Sequence, residues 1–157
     1  MSLVLVRLDD RLVHGQVVVG WGQELGVNHL VLLDDRVRQS EWEQELYRMG
    51  MPPGMGLEFA SVAEAIVAAP EWVHSKRRTV IVAGDVDAMV RLVQDSRAIK
   101  QVNLGGVHQQ PGRRQLLPYM YLSDAEVEKL NRLVQCGIAV TAQDVPTAKP
   151  VPLVELI

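Results

Sequence analysis

Apolar residues fall along this chain in two alternating rhythms. Short, continuous runs rich in Val, Ile and Leu recur at Leu3 to Leu8, His29 to Leu33, Leu57 to Ala60, Thr79 to Ala83, Ile99 to Leu104 and Ile138 to Ala142. Longer stretches of helical period separate them. A strand covered on both faces needs an unbroken apolar run, so the pattern predicts an α/β fold with an open, mainly parallel β-sheet and helices on both faces. Ser40 with Glu43, Ser61 with Glu64 and Ser123 with Glu126 each read as a capping box, in which the Ser oxygen and the Glu carboxylate serve amides left unpaired by the first helical turn. Asp85 is expected to cap a further helix running through Ser96. Gly137 fits the left-handed position that ends the helix carrying Val127, Leu130 and Leu133. The two prolines and two glycines of Met51 to Gly56 read as a loop, as does Gly105 to Arg114. Pro118 interrupts Gln115 to Leu122, which reads as an edge strand or hairpin arm. With three prolines, the segment from Pro146 to Ile157 is expected to lie extended over the surface.

Composition narrows this to one domain spanning residues 1–157. A chain of 157 residues, 48% hydrophobic, builds one full core and is short for two domains. Its 16 basic and 19 acidic residues are scattered, which argues against nucleic-acid binding. No stretch near the length of a membrane span is apolar throughout, and a cytoplasmic location is expected. Cys136 is the single cysteine, which excludes an internal disulfide and a cysteine-rich zinc site; a buried helical thiol is its expected role.

Ligands of open parallel sheets bind beyond the carboxyl ends of the strands. The first predicted strand ends near Leu8 and is followed by Asp9-Asp10-Arg11-Leu12-Val13-His14-Gly15-Gln16-Val17, then by a helical stretch with Val17, Trp21 and Leu25 on one side. His14 therefore falls in a strand-to-helix loop, where unpaired amides and a partial positive charge favour a phosphoryl group. Neutral imidazole is well populated near pH 7, and its free nitrogen can attack phosphorus. Arg7 and Arg11 flank it with guanidinium forks that match phosphoryl oxygens. Asp9 or Asp10 is placed either to fix the imidazole tautomer or to hold Arg11. Gly15, with Gln16 beside it, lets the backbone approach a phosphate. Gly84 and Asp85 end the fourth predicted strand at the same rim, where their amides are candidates to complete a phosphate cradle. Asp34 and Asp35 end the second strand, to orient an arginine or cap a helix. His108 reads as a solvated residue or a partner contact, and His29 and His74 as residues without chemistry. Trp21 is expected to anchor the first helix to the sheet; Trp42 and Trp72 are expected to cover helix ends or contact partners.

The run from Arg7 to Val17, with Trp21 four residues on, resembles the signature of the IIB components of the mannose/fructose/sorbose family of the phosphoenolpyruvate-dependent sugar phosphotransferase system. The likeness continues through Asp34-Asp35-x-Val37, Pro52-Pro53-Gly54, Asn103-Leu104-Gly105-Gly106, and Gly137-Ile138 leading to Pro146-Thr147, in family order over nearly the whole chain. This resemblance implies a cytoplasmic phosphocarrier in which His14, through Nδ1, takes phosphate from a phosphohistidine of a IIA partner. The phosphate then passes to a sugar presented by a IIC/IID membrane permease, which would hold the carrier at the inner face of the membrane. Arg11 is the implied stabiliser of the phosphoryl charge, with Asp10 as its catalytic neighbour. No metal and no organic cofactor is implied. Arg38, Gln39 and Ser40, and the polar residues after Gly105-Gly106, depart from the family pattern, so no sugar is assigned.

Two other readings use the same residues. In a signalling receiver domain, acidic pairs after two parallel strands hold magnesium beside an aspartyl phosphate; Lys100, at the start of the fifth strand and not its end, weighs against it. In a regulatory phospho-acceptor not coupled to transport, phosphate on His14 would alter a docking surface by its added charge. The exposed edge of an open sheet also admits a modest homo-oligomer.

Overall fold

The structure, a computed structural model, describes residues 2–13 and 15–157, with the backbone alone for Gln16, Val17 and Val18. Strands β1 (Leu3–Leu8), β2 (His29–Leu33), β3 (Gly56–Ala60), β4 (Thr79–Ala83), β5 (Gln101–Leu104) and β8 (Ala139–Ala142) pair in parallel in the order β3-β2-β4-β1-β5-β8. All six predicted runs form these strands. Ile99 is buried but lies ahead of β5, and Ile138 ahead of β8.

The pleat sorts the buried side chains into two cores. Leu8, Val31, Leu33, Ile81 and Ala83 face one, which α4 (Val62–His74), α5 (Val86–Ser96) and α6 (Asp124–Gln135) cover. Leu30, Leu32, Val80 and Val82 face the other, under α1 (Gly22–Leu25), α2 (Asp35–Arg38) and α3 (Glu41–Met49). Successive side chains of a strand point to opposite faces, so a strand buried on both must be apolar throughout.

Helix starts follow the capping residues. Ser61 and Ser123 form complete capping boxes with Glu64 and Glu126. Ser40 caps α3 through the Glu43 amide, but the Glu43 carboxylate turns to Arg36 at 2.6 Å and leaves the box half made. Gly137 takes a φ of 91° just past α6. Cys136, expected in the core, is exposed: α6 turns Leu130 and Leu133 inward and ends at Gln135, so the thiol falls on the cap. Trp21 is buried as expected, as is Trp72, while Trp42 stands in solvent.

Gln115 to Leu122 resolves into a hairpin, β6 (Arg114–Leu117) and β7 (Met120–Leu122), turning at Pro118 and Tyr119. The tail does more than lie on the surface. Val151–Pro152 forms β9, antiparallel to β8, and the 3-10 turn Leu153–Glu155 sinks Leu153 into the first core. No described helix is long and apolar enough to cross a membrane.

Chain direction defines the functional end. From β1 the chain runs outward to β2 and β3 through helices on one face. It then returns to β4 and crosses to β5 and β8 through helices on the other. β1 and β4 are neighbours whose continuations leave on opposite faces, and such a switch point opens a crevice at the carboxyl ends of the strands.

Candidate functional site

β1 delivers Asp9 into that crevice. The Asp9 amide donates to Ala83 O at 2.8 Å and the Asp10 amide to Gly106 O at 2.9 Å, so the chain is gripped between the ends of β4 and β5. Leu12 N–H then returns to Asp9 O at 3.0 Å and closes a tight turn. Leu12 holds a left-handed φ of 55°, unusual for a branched side chain. Burial of that side chain in the second core offsets the strain. Gly84 makes room for the turn, since a Cβ there would stand 3.0 Å from Leu12 Cδ2 and 3.3 Å from Asp10 Cα.

Asp9 organises the charges. Fully buried, its carboxylate accepts from Arg11 Nε at 2.8 Å, Arg11 Nη2 at 2.6 Å, the Arg11 amide at 3.1 Å and Arg7 Nε at 3.2 Å. Burial alone would raise its pKa, but the hydrogen bonds from Arg11 and the charges of Arg7 and Arg11 outweigh that and hold it below the ordinary carboxylate range. Arg11 gains in turn: its bond to Asp9 raises its pKa, and its side chain stays 21% exposed at the rim, with Asp144 Oδ1 at 3.8 Å. Gly106 leaves the space this guanidinium fills, because a Cβ there would lie 2.9 Å from Arg11 Nε.

Arg7 departs from the expected phosphate contact. Its side chain is wholly buried, and every guanidinium nitrogen has a hydrogen-bond partner: Asp9, the Asn103 side chain, Gln143 O at 2.8 Å and Asp144 O at 2.9 Å. The guanidinium lies over the Trp21 ring, 4.8 Å from its centroid. Burial lowers its pKa against the pull of Asp9. Arg7 therefore ties the carboxyl ends of β1, β5 and β8 together from beneath the rim and presents nothing to a ligand above it.

The acidic pair splits. Asp9 takes the Arg11-holding role, and Asp10 turns to the loop after β5. Asp10 Oδ2 accepts the His108 amide at 2.7 Å, and Asp10 Oδ1 lies 2.7 Å from His108 Nδ1. Gly15 is exposed, in helical conformation, at the head of a π-helical segment Gln16–Trp21 that runs directly into α1, and a Cβ there would meet nothing within 4 Å. Gly84 sits beneath the turn as described. Asp85 is exposed, but its carboxylate accepts from the Ala88 amide at 3.0 Å and caps α5, which commits it to the helix and not to a cradle. His14 and the side chain of Gln16 lie outside the described residues.

Other expected candidates are occupied elsewhere. Asp34 caps α2 through the Val37 amide and Asp35 accepts the Val62 amide, so this acidic pair serves helix starts and not a magnesium pocket. His29 is buried between Thr79 Oγ1 at 2.8 Å and Glu58 Oε1 at 3.0 Å. A cavity of about 410 Å³ lies by that pair, lined by Arg38, Arg48, Phe59 and Arg77 and by none of the Asp9 to Arg11 residues. Sequence reasoning missed Gln143 and Asp144, which follow β8 immediately. Applying the carboxyl-end rule to the sixth predicted strand would have found them.

Residues 3–157 match the family described as the sorbose-subfamily IIB component of the phosphotransferase system. Among curated relatives, N-acetylgalactosamine-specific phosphotransferase enzyme IIB component 1 of Escherichia coli K12 is 34% identical over 152 residues, covering 92% of each chain. The mannose-specific EIIAB component of the same strain is 27% identical over 157 residues, which is 100% of this chain and 49% of that one. Among solved structures, the IIB domain of the Klebsiella pneumoniae sorbose permease shares the fold, with a TM-score of 0.89 at 24% identity over 99% of this chain and 96% of its own. The Escherichia coli N-acetylgalactosamine-specific IIB component 1 superposes with a TM-score of 0.84 at 28% identity over 95% of this chain and 97% of its own.

Proposed function

The chain belongs to the sorbose subfamily of phosphotransferase-system IIB components, which take part in phosphotransfer during sugar uptake, and we propose that it carries the phosphate on His14. The observation that carries this reading is the fixed position of Arg11. Two hydrogen bonds donated to the Asp9 carboxylate hold its guanidinium at the rim of the sheet, in the turn that leads to His14 three residues later. A pre-set cation beside a nucleophile stabilises the charge of a transferring phosphoryl group without reorganising in the transition state.

In this reading a IIA phosphohistidine docks at the carboxyl ends of β1 and β4, and the His14 ring nitrogen attacks its phosphorus. The Arg11 side chain, 21% exposed at the rim, meets the phosphoryl oxygens. Gly15 leaves space for them, since no side chain stands there. Arg7 is a positioning residue that sets Asp9, and through Asp9 sets Arg11. Transfer between two imidazoles is close to thermoneutral, so orientation and electrostatics supply most of the rate. The phosphate then passes to a sugar at a IIC/IID permease, where the carrier works at the inner face of the membrane. The mannose-specific relative, about twice this chain's length, is named as a joined IIA and IIB, which supports a IIA protein as the donor.

The test is direct. Incubation with phosphoenolpyruvate, the general phosphotransferase proteins and candidate IIA partners should add one acid-labile phosphate to the wild type by intact mass, and none to His14→Ala. Equal labelling of the variant would end the assignment of His14.

A further inference from the structure

We propose that the open edge of β3 is a docking site for an extended, acidic segment of a partner protein, which adds to the sheet as one more strand. The site lies apart from Asp9 and Arg11, and the proposal stands whether or not His14 carries phosphate. The two edges of the sheet differ. β9 closes the β8 edge, whereas among the described residues β3 pairs with β2 alone. The Gly56 amide donates to Asn28 O at 2.9 Å, and Ala60 O accepts the Asp34 amide at 3.1 Å. Backbone polar groups alternate sides along a strand, so Gly56, Glu58 and Ala60 address β2 while Leu57 and Phe59 turn N–H and C=O outward.

The cavity of about 410 Å³ beside His29 follows that edge. Leu57 and Phe59, which pack toward the second core, form part of its wall, and so does Glu58, which points to the opposite face and meets the His29 ring at 3.0 Å. A hollow walled by both faces of one strand runs along the strand's edge. Three arginines line it. Arg77 precedes β4, whose Thr79 stands level with His29 and Gly56, so it marks the amino end of the groove. Arg38 follows α2 and forks onto Glu64 at the head of α4, which marks the carboxyl end. Arg48 covers the α3 side, 5.2 Å from the Phe59 ring centroid and 3.3 Å from Glu45.

These cations select the occupant. Arg77 is exposed, and its guanidinium has no hydrogen bond or ion pair among the described residues. The pairs of Arg38 with Glu64 and of Arg48 with Glu45 are largely exposed, and such pairs hold too weakly to bar exchange with an incoming carboxylate. Charged side chains on an edge ordinarily ward off other strands. Here all three carry one sign, so a second copy of the edge is repelled: antiparallel pairing would set Arg38 against Arg77. An acidic strand is attracted instead, with main-chain hydrogen bonds for affinity and side chains for choice. The five residues of β3 span about 17 Å. Arginines at both ends of that length therefore call for a carboxylate at each end of the bound segment, with an uncharged residue facing Glu58.

The test titrates the full chain with an end-blocked five-residue peptide, aspartate at both ends and valine and threonine between, and follows amide hydrogen exchange by NMR. At saturation the Leu57 and Phe59 amides should exchange roughly 10-fold more slowly or better. The same peptide with lysine at both ends should leave them unchanged. Arg77→Glu, a surface change that leaves the Tm in place, should weaken the aspartate peptide roughly 10-fold, and added salt should weaken it on the wild type. Unchanged exchange at Leu57 and Phe59 with the aspartate peptide would overturn the proposal, as would equal slowing by the lysine peptide. Inorganic phosphate that shifts the arginine signals, with both amides still unprotected by peptide, would make the groove a small-anion pocket. Protection that rises with protein concentration alone would assign the edge to a second copy. Either result overturns the proposal as well.

Discussion

Two arginines four residues apart meet one carboxylate and serve it differently. Arg11 keeps part of its surface at the rim, while Arg7 disappears beneath it. Asp9 lies between them with a pKa lower in the folded chain than in the unfolded one. Its contribution to stability is therefore complete above the unfolded value of about 3.9 and is lost as the pH falls below that through the folded value. Asp9→Asn should be less stable near neutral pH by about 3–5 kcal/mol, because a buried guanidinium loses its counter-charge. Between roughly pH 6 and roughly pH 3 its Tm should fall less than that of the wild type, as calorimetry across that interval would show. A steeper fall in the variant would mean that Asp9 is not the titrating group. The sequence placed both arginines beside His14, and only the family resemblance put Arg11 first; nothing in it foretold the burial of Arg7. Arg7 is claimed by Asn103, Gln143 and Asp144, which lie 96 to 137 residues further along the chain. No local pattern reveals such a partner set.

At the scale of elements, the loops after β1 and β5 fit together because two glycines leave room. A Cβ on Gly105 would collide with the Arg7 guanidinium and stand 2.6 Å from Asp9 Oδ2, and neither group can move, since both are enclosed. Gly105→Ala should therefore cost about 1–3 kcal/mol or more by urea denaturation, a large penalty for one methyl group. A neutral result would show that the Arg7 cluster yields. The central strands β2 and β4 were legible because each is buried along its whole length and is almost wholly apolar, whereas the edge strand β3, with Glu58, and β5, with Asn103, show shorter apolar runs. The capped helices were legible because Ser and Glu three residues apart advertise them. Less could be read where the signal is short or degenerate. Spacing of four between Val17, Trp21 and Leu25 suits a π-helical turn as well as an α-helical one, and the structure uses both in succession. β9 is two residues long and includes a proline, too brief for any periodicity.

Across the whole molecule, one sheet separates two cores, and its β8 edge is closed by the tail. β9 covers that edge, and Leu153 is fully buried against the first core. Leu153→Ala should lose about 2–5 kcal/mol, measured by the urea midpoint. A loss near zero would mean that the tail merely rests on the sheet. The fold then brings the ends of β1, β4, β5 and β8 to one rim, and that convergence has a consequence for the cargo. Asp9 already occupies the guanidinium that a phosphoryl group on His14 would draw upon, so arriving phosphate competes with a resident carboxylate and does not fill an empty cradle. If His14 carries the phosphate as proposed, such competition would limit how far the phosphorylated state can sink in free energy. It would keep the group-transfer potential of the loaded protein close to that of its donor and leave the phosphate easy to give away.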